Sequence, residues 1–280
     1  EVEYLRGVNS SFTLRNLLMR GLVERLENPK DARSYLYRAA FDFLKHFGKT
    51  HCIEKKVNAG IVTEADKAAE DYLLKKIFKL YPKSSIITEE SGEFKRDSDW
   101  LWFLDPLDGT SNYAHGFPWF CVSIALYIEG KAKVGVIYQP LTRELFFAER
   151  DKGAFLGEKR IQVSRCAILE DALLGTGFYY SKGTKLRAEM EIFTRMNEVV
   201  LAVRRPGSAA LDLAFVANGR YDGFWERGLS SWDIAAGLLL VTEAGGKLSD
   251  YHGRETTVFG GECVASNTRL HKRIIEVIEK

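Results

Sequence analysis

The run Trp100-Leu101-Trp102-Phe103-Leu104 contains no polar side chain, and it leads directly into Asp105-Pro106-Leu107-Asp108-Gly109-Thr110-Ser111-Asn112. Five successive apolar residues read as a buried strand, since alternate side chains point to opposite faces and here both faces must be dry. A buried strand commits the chain to a sheet with other layers packed on it. It also delivers two carboxylates, three residues apart, to one strand end. Pro106 stiffens the turn and can direct the Leu107 carbonyl outward, while Gly109 lets a bound group come close to the backbone. Carboxylate and carbonyl oxygens are hard donors, which suit magnesium rather than zinc or copper. A helix opening near residues 109–111 would turn free N–H groups toward the same spot, an anion site beside the metal that phosphate would fill. The plainer alternative is that Asp105 and Asp108 are turn and N-cap residues.

The rest of the chain reads as an ordinary globule with two halves. At 280 residues, 46% apolar and 28% charged, disordered and fibrous classes are set aside and two domains are expected. Lys and Arg outnumber Asp and Glu by 40 to 38, so bulk charge argues against nucleic acid as a partner. Cys52, Cys121, Cys166 and Cys263 form no CxxC pair and read as reduced core residues. No apolar run reaches the roughly 18–20 residues of a membrane span, and no signal-peptide core opens the chain, so a cytoplasmic location is expected. Residues 1–28 read as an appended arm. A helix follows over 35–47, stopped by Gly48, then a loop over 49–60 and a second helix over 65–80. Short apolar runs at 85–87, 100–104, 122–128, 133–138 and 144–147 read as strands, with hairpins through residue 163. Helices are expected over 185–198, 208–217 and 233–244, with a strand at 223–226 and a final strand and helix. The first half is thus α+β and the second α/β, with a boundary at 160/161.

Three further segments carry acids at element ends. Thr88-Glu89-Glu90-Ser91 follows the strand at Ile86-Ile87, Ser231-Trp232-Asp233 opens an apolar helix, and Val62-Thr63-Glu64-Ala65-Asp66 places Thr63 as an N-cap with Asp66 at N3. Singly, each reads as a charged loop or a helix cap. Taken in chain order, residues 62–66, 89–91, 105–112 and Trp232-Asp233-Ile234-Ala235-Ala236-Gly237 resemble the motifs of the inositol monophosphatase family, within the lithium-sensitive, magnesium-dependent phosphatases. The resemblance runs from about residue 30 to the C-terminus and leaves the arm outside.

The resemblance implies a layered α-β-α-β-α sandwich. Residues 29–160 would bind metal and phosphate, and 161–280 would recognise substrate and add one metal ligand. It implies two to three Mg2+ ions: Glu89, Asp105 and the Leu107 carbonyl on the first, Asp105, Asp108 and Asp233 on the second, and a weaker third touching Glu89. Thr110, oriented by Asp66, would accept a proton from the attacking water, with no covalent phosphoenzyme, and the Gly109 and Thr110 N–H groups would hold the phosphate. The leaving alcohol would meet Gly207-Ser208-Ala209 and Glu226. Without the resemblance these read as a Ser-capped helix start and a surface charge. Arg204 and Arg205 could grip a second phosphate. Gly175-Thr176-Gly177 reads as a strand-end turn and His115 as structural. Gly60 departs from the acidic or polar residue of many relatives, which leaves the third ion open. The implied activity is hydrolysis of a small phosphorylated polyol or sugar, inositol 1-phosphate first. Fructose 1,6-bisphosphate and 3′-phosphoadenosine compounds are the alternatives, and binding to the transcription machinery is an alternative of another class. A homodimer is implied as well.

Overall fold

The computed structural model describes residues 46–48, 54–55, 61–178 and 183–280. The arm, nearly all of the first expected helix, Cys52 and most of the loop over 49–60 lie outside the described residues. Two short strands, β1 (Glu54–Lys55) and β2 (Ile61–Val62), pair antiparallel and lead to α1 (Glu64–Leu80). Thr63 caps α1 in an extended conformation, and its buried residues Asp66, Ala69, Glu70, Leu73 and Ile77 follow the three-and-four spacing of one helix face.

Eight strands form the larger sheet: β3 (Ser85–Thr88), β4 (Gly92–Phe94), β5 (Trp100–Asp108), β6 (Cys121–Ile128), β7 (Lys131–Gln139), β8 (Glu144–Glu149), β9 (Gly153–Leu156) and β10 (Lys159–Ile161). Their order is β10-β9-β8-β7-β6-β5-β3-β4, and β3 with β5 is the parallel pair in an otherwise antiparallel sheet. Between β3 and β6 the apolar strand β5 runs on past its expected end at Leu104. Asp105 pairs with Ser123 and Asp108 with Cys121, so three steps on β5 match two on β6. That extra residue is a bulge. In an unbroken strand residues three apart face opposite sides; one added residue lets Asp105 and Asp108 turn to the same side.

The remaining helices are α2 (Thr110–Ala114), α3 (Thr184–Asn197), α4 (Ala209–Ala217), α5 (Ser231–Glu243) and α6 (His271–Ile278). The smaller sheet comprises β11 (Leu173–Thr176), β12 (Ala202–Arg204), β13 (Gly223–Arg227), β14 (Lys247–Ser249) and β15 (Glu262–Ser266), in the order β12-β11-β13-β15-β14.

Alternation along the strands sets the layers. From the large sheet, Trp102, Leu104, Ile124 and Leu126 pack against Leu73 and Ile77 of α1, while Phe103, Ala125, Tyr127 and Ile137 face Leu211, Leu213, Ile234 and Leu238 of α4 and α5. In the small sheet Phe224 and Ala265 join that same middle core, whereas Trp225 and Val264 turn outward to Ile192 of α3 and Ile274 of α6. The result is α1, sheet, α4 with α5, sheet, α3 with α6: the α-β-α-β-α sandwich. Both middle helices are apolar nearly all round, as burial between two sheets demands. They pack so closely that a Cβ on Gly237 would stand 2.4 Å from Leu213 Cδ1. Cys121 and Cys263 are buried free thiols, and Cys166 is free but only half-buried. No helix among the described residues is long and apolar enough to cross a membrane.

Candidate active site

The N-terminus of α1 and the end of β5 meet through Asp66. Its Oδ2 accepts the Thr63 N–H at 2.8 Å and the Thr63 hydroxyl at 2.5 Å, and its Oδ1 accepts the Thr110 hydroxyl at 2.8 Å. The Leu107 carbonyl is the second acceptor within reach of that hydroxyl, at 3.0 Å, and its single proton serves one of the two. Burial raises the pKa of Asp66, opposed by its hydrogen bonds to Thr63 and Thr110. Gly109 caps α2 at φ +97°, where a Cβ would strike the Trp119 carbonyl oxygen at 2.8 Å. Only glycine can make this step from strand to helix.

Asp105 is the centre of the acidic group. It is buried, and its Oδ1 accepts the Leu107 N–H at 3.0 Å. Its pKa is pushed well above the carboxylate range, first by burial and then by Glu89, Asp108 and Asp233, so four acids act on one another here. Asp108 accepts the Ser208 hydroxyl at 2.6 Å and the Ala210 N–H at 2.8 Å, with the Cys121 thiol at 3.9 Å, all on Oδ2. Burial lifts it to about 6 against those hydrogen bonds. Glu89 is placed by its own N–H, which donates to the Leu104 carbonyl at 3.3 Å. Asp233 is N3 of α5, and its Oδ2 accepts the Ser230 N–H at 2.7 Å.

The donor set fits a hard divalent cation. It consists of carboxylates and a carbonyl, and every leading influence on Asp105 disfavours its charge, an imbalance that a bound cation would reverse. Among the described residues no group of three or more His, Cys, Asp or Glu side chains stands at ligating separation.

The second half approaches through the turn at Gly207, whose φ is +92°. Asn112 of α2 holds it: Nδ2 donates to the Trp119 carbonyl at 2.7 Å and the Pro206 carbonyl at 2.9 Å, with the Gly207 carbonyl at 3.3 Å. Ser208 caps α4, and its hydroxyl donates to Asp108. Ala209 is buried behind it. Glu226, at the end of β13, fills the space beside Gly177, where a Cβ would come within 2.1 Å of its carboxylate carbon. Its pKa is pushed well up by burial and by Asp233, and Arg205 pulls it down. Arg205 also acts on Asp212 and stands 5.7 Å from the Phe178 ring centre. Arg204 is exposed, donates to the Val203 carbonyl and acts on Tyr221 instead. His115 is exposed at the end of α2.

The sequence reading passed over Asn112 as a side chain with a task, and it missed Asp212 altogether. Asp212 is buried, and among the described residues neither of its carboxyl oxygens has a hydrogen-bond partner. Burial, Glu226 and Asp108 push its pKa well up. The signal was present: Asp212 is the one charged residue in a helix that is otherwise apolar throughout.

A five-layer sandwich that gathers acids around the buried Asp105 at a bulged strand end, beside a Thr–Asp pair, has the make-up of a metal-dependent phosphatase. Comparison with known proteins makes the assignment specific. The chain belongs to the inositol monophosphatase family, whose model matches residues 31–280. It is 40% identical over 260 residues to an inositol-1-monophosphatase of Synechocystis sp., covering 90% of this chain and 91% of that protein. Nus factor SuhB of Pseudomonas aeruginosa is 43% identical over 232 residues, covering 81% and 86%. Among solved structures, the extragenic suppressor protein SuhB of Bartonella henselae superposes with a TM-score of 0.82 at 39% identity, covering 86% of this chain and 94% of that one. The chain is thus a phosphatase, a hydrolase of phosphate esters.

Proposed function

We propose that this phosphatase hydrolyses inositol 1-phosphate to inositol and phosphate, with magnesium as its cation. The observation that carries the reading is the buried Asp105 with Glu89, Asp108 and Asp233 acting on it. The Synechocystis relative, an inositol-1-monophosphatase, supports the choice of substrate. Glu89, Asp105 and the Leu107 carbonyl would hold one ion, and Asp105, Asp108 and Asp233 a second. With Oδ2 of Asp108 already taken up by Ser208 and Ala210, Oδ1 is the oxygen left for a cation. Magnesium supplies the positive charge that phosphoryl transfer needs along its attacking and leaving oxygens.

The chain's own groups do the rest. Thr110 donates its proton to Asp66, which leaves its oxygen lone pairs free to take a proton from the attacking water. Asp66, its pKa raised by burial, is the better acceptor at the end of that relay. No side chain needs to be phosphorylated. The Gly109 and Thr110 N–H groups, at the opening of α2, face the phosphate. Glu226 and the turn 207–209 receive the hydroxyls of the leaving alcohol, with Arg205 beside them.

Turnover of inositol 1-phosphate, fructose 1,6-bisphosphate and 3′-phosphoadenosine 5′-phosphate in magnesium tests the proposal. The highest kcat/KM is expected for inositol 1-phosphate; an equal or higher value for the sugar bisphosphate overturns the ranking. The similarity to a Nus factor favours a second, separate role in the transcription machinery. Retention of RNA polymerase by an Asp105→Asn variant would support that role, and loss of binding by the wild-type chain would remove it.

A further inference from the structure

Glu70 lies four residues beyond Asp66 on the buried face of α1 and is 2% exposed. Its Oε2 accepts the Thr88 hydroxyl at 2.6 Å and the Glu90 N–H at 2.9 Å, and its Oε1 accepts the Ser91 hydroxyl. These donors come from both sides of Glu89. Glu89 itself hangs from β5 by its N–H to the Leu104 carbonyl, one residue before Asp105. The turn that carries Glu89 is therefore pinned to α1 by one carboxylate and to β5 by one backbone hydrogen bond. Removing the carboxylate would leave three donors without their acceptor, of which the Thr88 hydroxyl is fully buried.

We propose that Glu70 is a positioning residue for the first cation, setting Glu89 at its distance from Asp105; this rests on the magnesium reading above. Glu70 touches neither substrate nor cation. With Asp66 it makes α1 the common support of the site: one carboxylate holds Thr110, and the other holds the turn of Glu89. Both project from the same helix face four residues apart, so the two arms are held in register by the rigidity of one helix.

Glu70→Gln and Thr88→Val test the proposal. Thr88→Val removes one of the three donors at nearly constant volume and keeps the test alive should the first variant fold poorly. Magnesium binding to the metal-free proteins is measured by titration calorimetry, alongside kcat and KM for inositol 1-phosphate as magnesium is varied. The dissociation constant for magnesium should rise about tenfold or more in Glu70→Gln, the usual effect of disturbing a group behind a metal ligand, and less in Thr88→Val. At saturating magnesium kcat should recover to within a few-fold, with KM unchanged, because the Thr110–Asp66 pair is intact. A lower Tm with unaltered magnesium binding in both variants would overturn the proposal and leave Glu70 a merely structural residue. A wild-type chain that binds no magnesium would overturn the cation reading itself, and the role of Glu70 with it.

Discussion

The two sides of the site are built to different standards of restraint. On the large-sheet side Asp66, Asp105 and Asp108 are each held by hydrogen bonds to named donors, the first two fully buried and Asp108 half-buried. On the small-sheet side Glu226 is half-buried in room left by a glycine, and Arg205 is exposed over an aromatic ring. Chemistry that depends on charge placement needs groups locked before substrate arrives. Selection among alcohols needs a surface that can be altered without moving those groups. At the site the two are joined by Ser208 and Ala210 on Asp108, and by Asn112 on the turn at residues 206–207.

The contrast can be broken at the restrained side first. Asp105→Asn or Asp233→Asn should lower kcat by on the order of 10^3, several kcal/mol of transition-state charge stabilisation, and should abolish the rise in Tm on adding magnesium. Full activity in Asp233→Asn would remove α5 from the cation site. Thr110→Val should cost about 10^2 in kcat and leave magnesium binding in place, as calorimetry would show.

Next comes pH. In the metal-free fold Asp108 titrates at about 6, and Asp105 and Asp66 are raised as well. The folded state therefore holds protons that the unfolded chain has released. The contribution of Asp108 to stability is full below about pH 4 and is lost as pH rises through about 6, and those of Asp105 and Asp66 run in the same direction. Magnesium requires the ionised groups, so its affinity should run the other way, falling about tenfold per pH unit below 6 for each proton displaced. Melting curves at pH 5 and 7.5, with and without magnesium, would show the larger metal-induced shift at the higher pH.

The open side should yield smaller, more selective effects. Glu226→Gln should raise KM roughly fivefold, about 1 kcal/mol of hydrogen bonding, with kcat nearly kept and discrimination among alcohols flattened. An equal fall in kcat would mean that Glu226 belongs to the restrained set. Smallest of all, Arg205→Ala should change turnover of a bisphosphate by about two- to threefold, within the range of an exposed charge, and Arg204→Ala should change nothing in the same assay.

What was legible beforehand follows from how local each signal is. The strand β5 and the helix α1 announce themselves in continuous or periodic apolar residues, and the sandwich follows from the resemblance their motifs carry. The strands β4, β12 and β14 have three residues each, too few to show alternation. The bulge between Asp105 and Asp108 was read as a turn, because its extra residue exists only relative to β6. The tie of Asn112 to residues 206–207, the bond of Ser208 to Asp108 and the burial of Asp212 are likewise invisible, since the partners lie 94 to 100 positions away or are felt only through charge. Glu70 left a faint trace as an acid within the apolar stripe of α1, and its partners 18 to 21 positions on gave that trace meaning.

The middle layer carries an evolutionary consequence. Because α4 and α5 are greasy on both sides and nearly touch at Gly237, each sheet depends on them for its inner covering. They also carry, or stand next to, Ser208, Asp212 and Asp233. A lineage that trades one substrate for another cannot do so by swapping in a foreign second half, since the graft would strip the first sheet of its lining and misplace a charge at its centre. On the proposed assignment, novelty would enter residue by residue around Glu226 and Arg205, under a ceiling of side chains that stays the same.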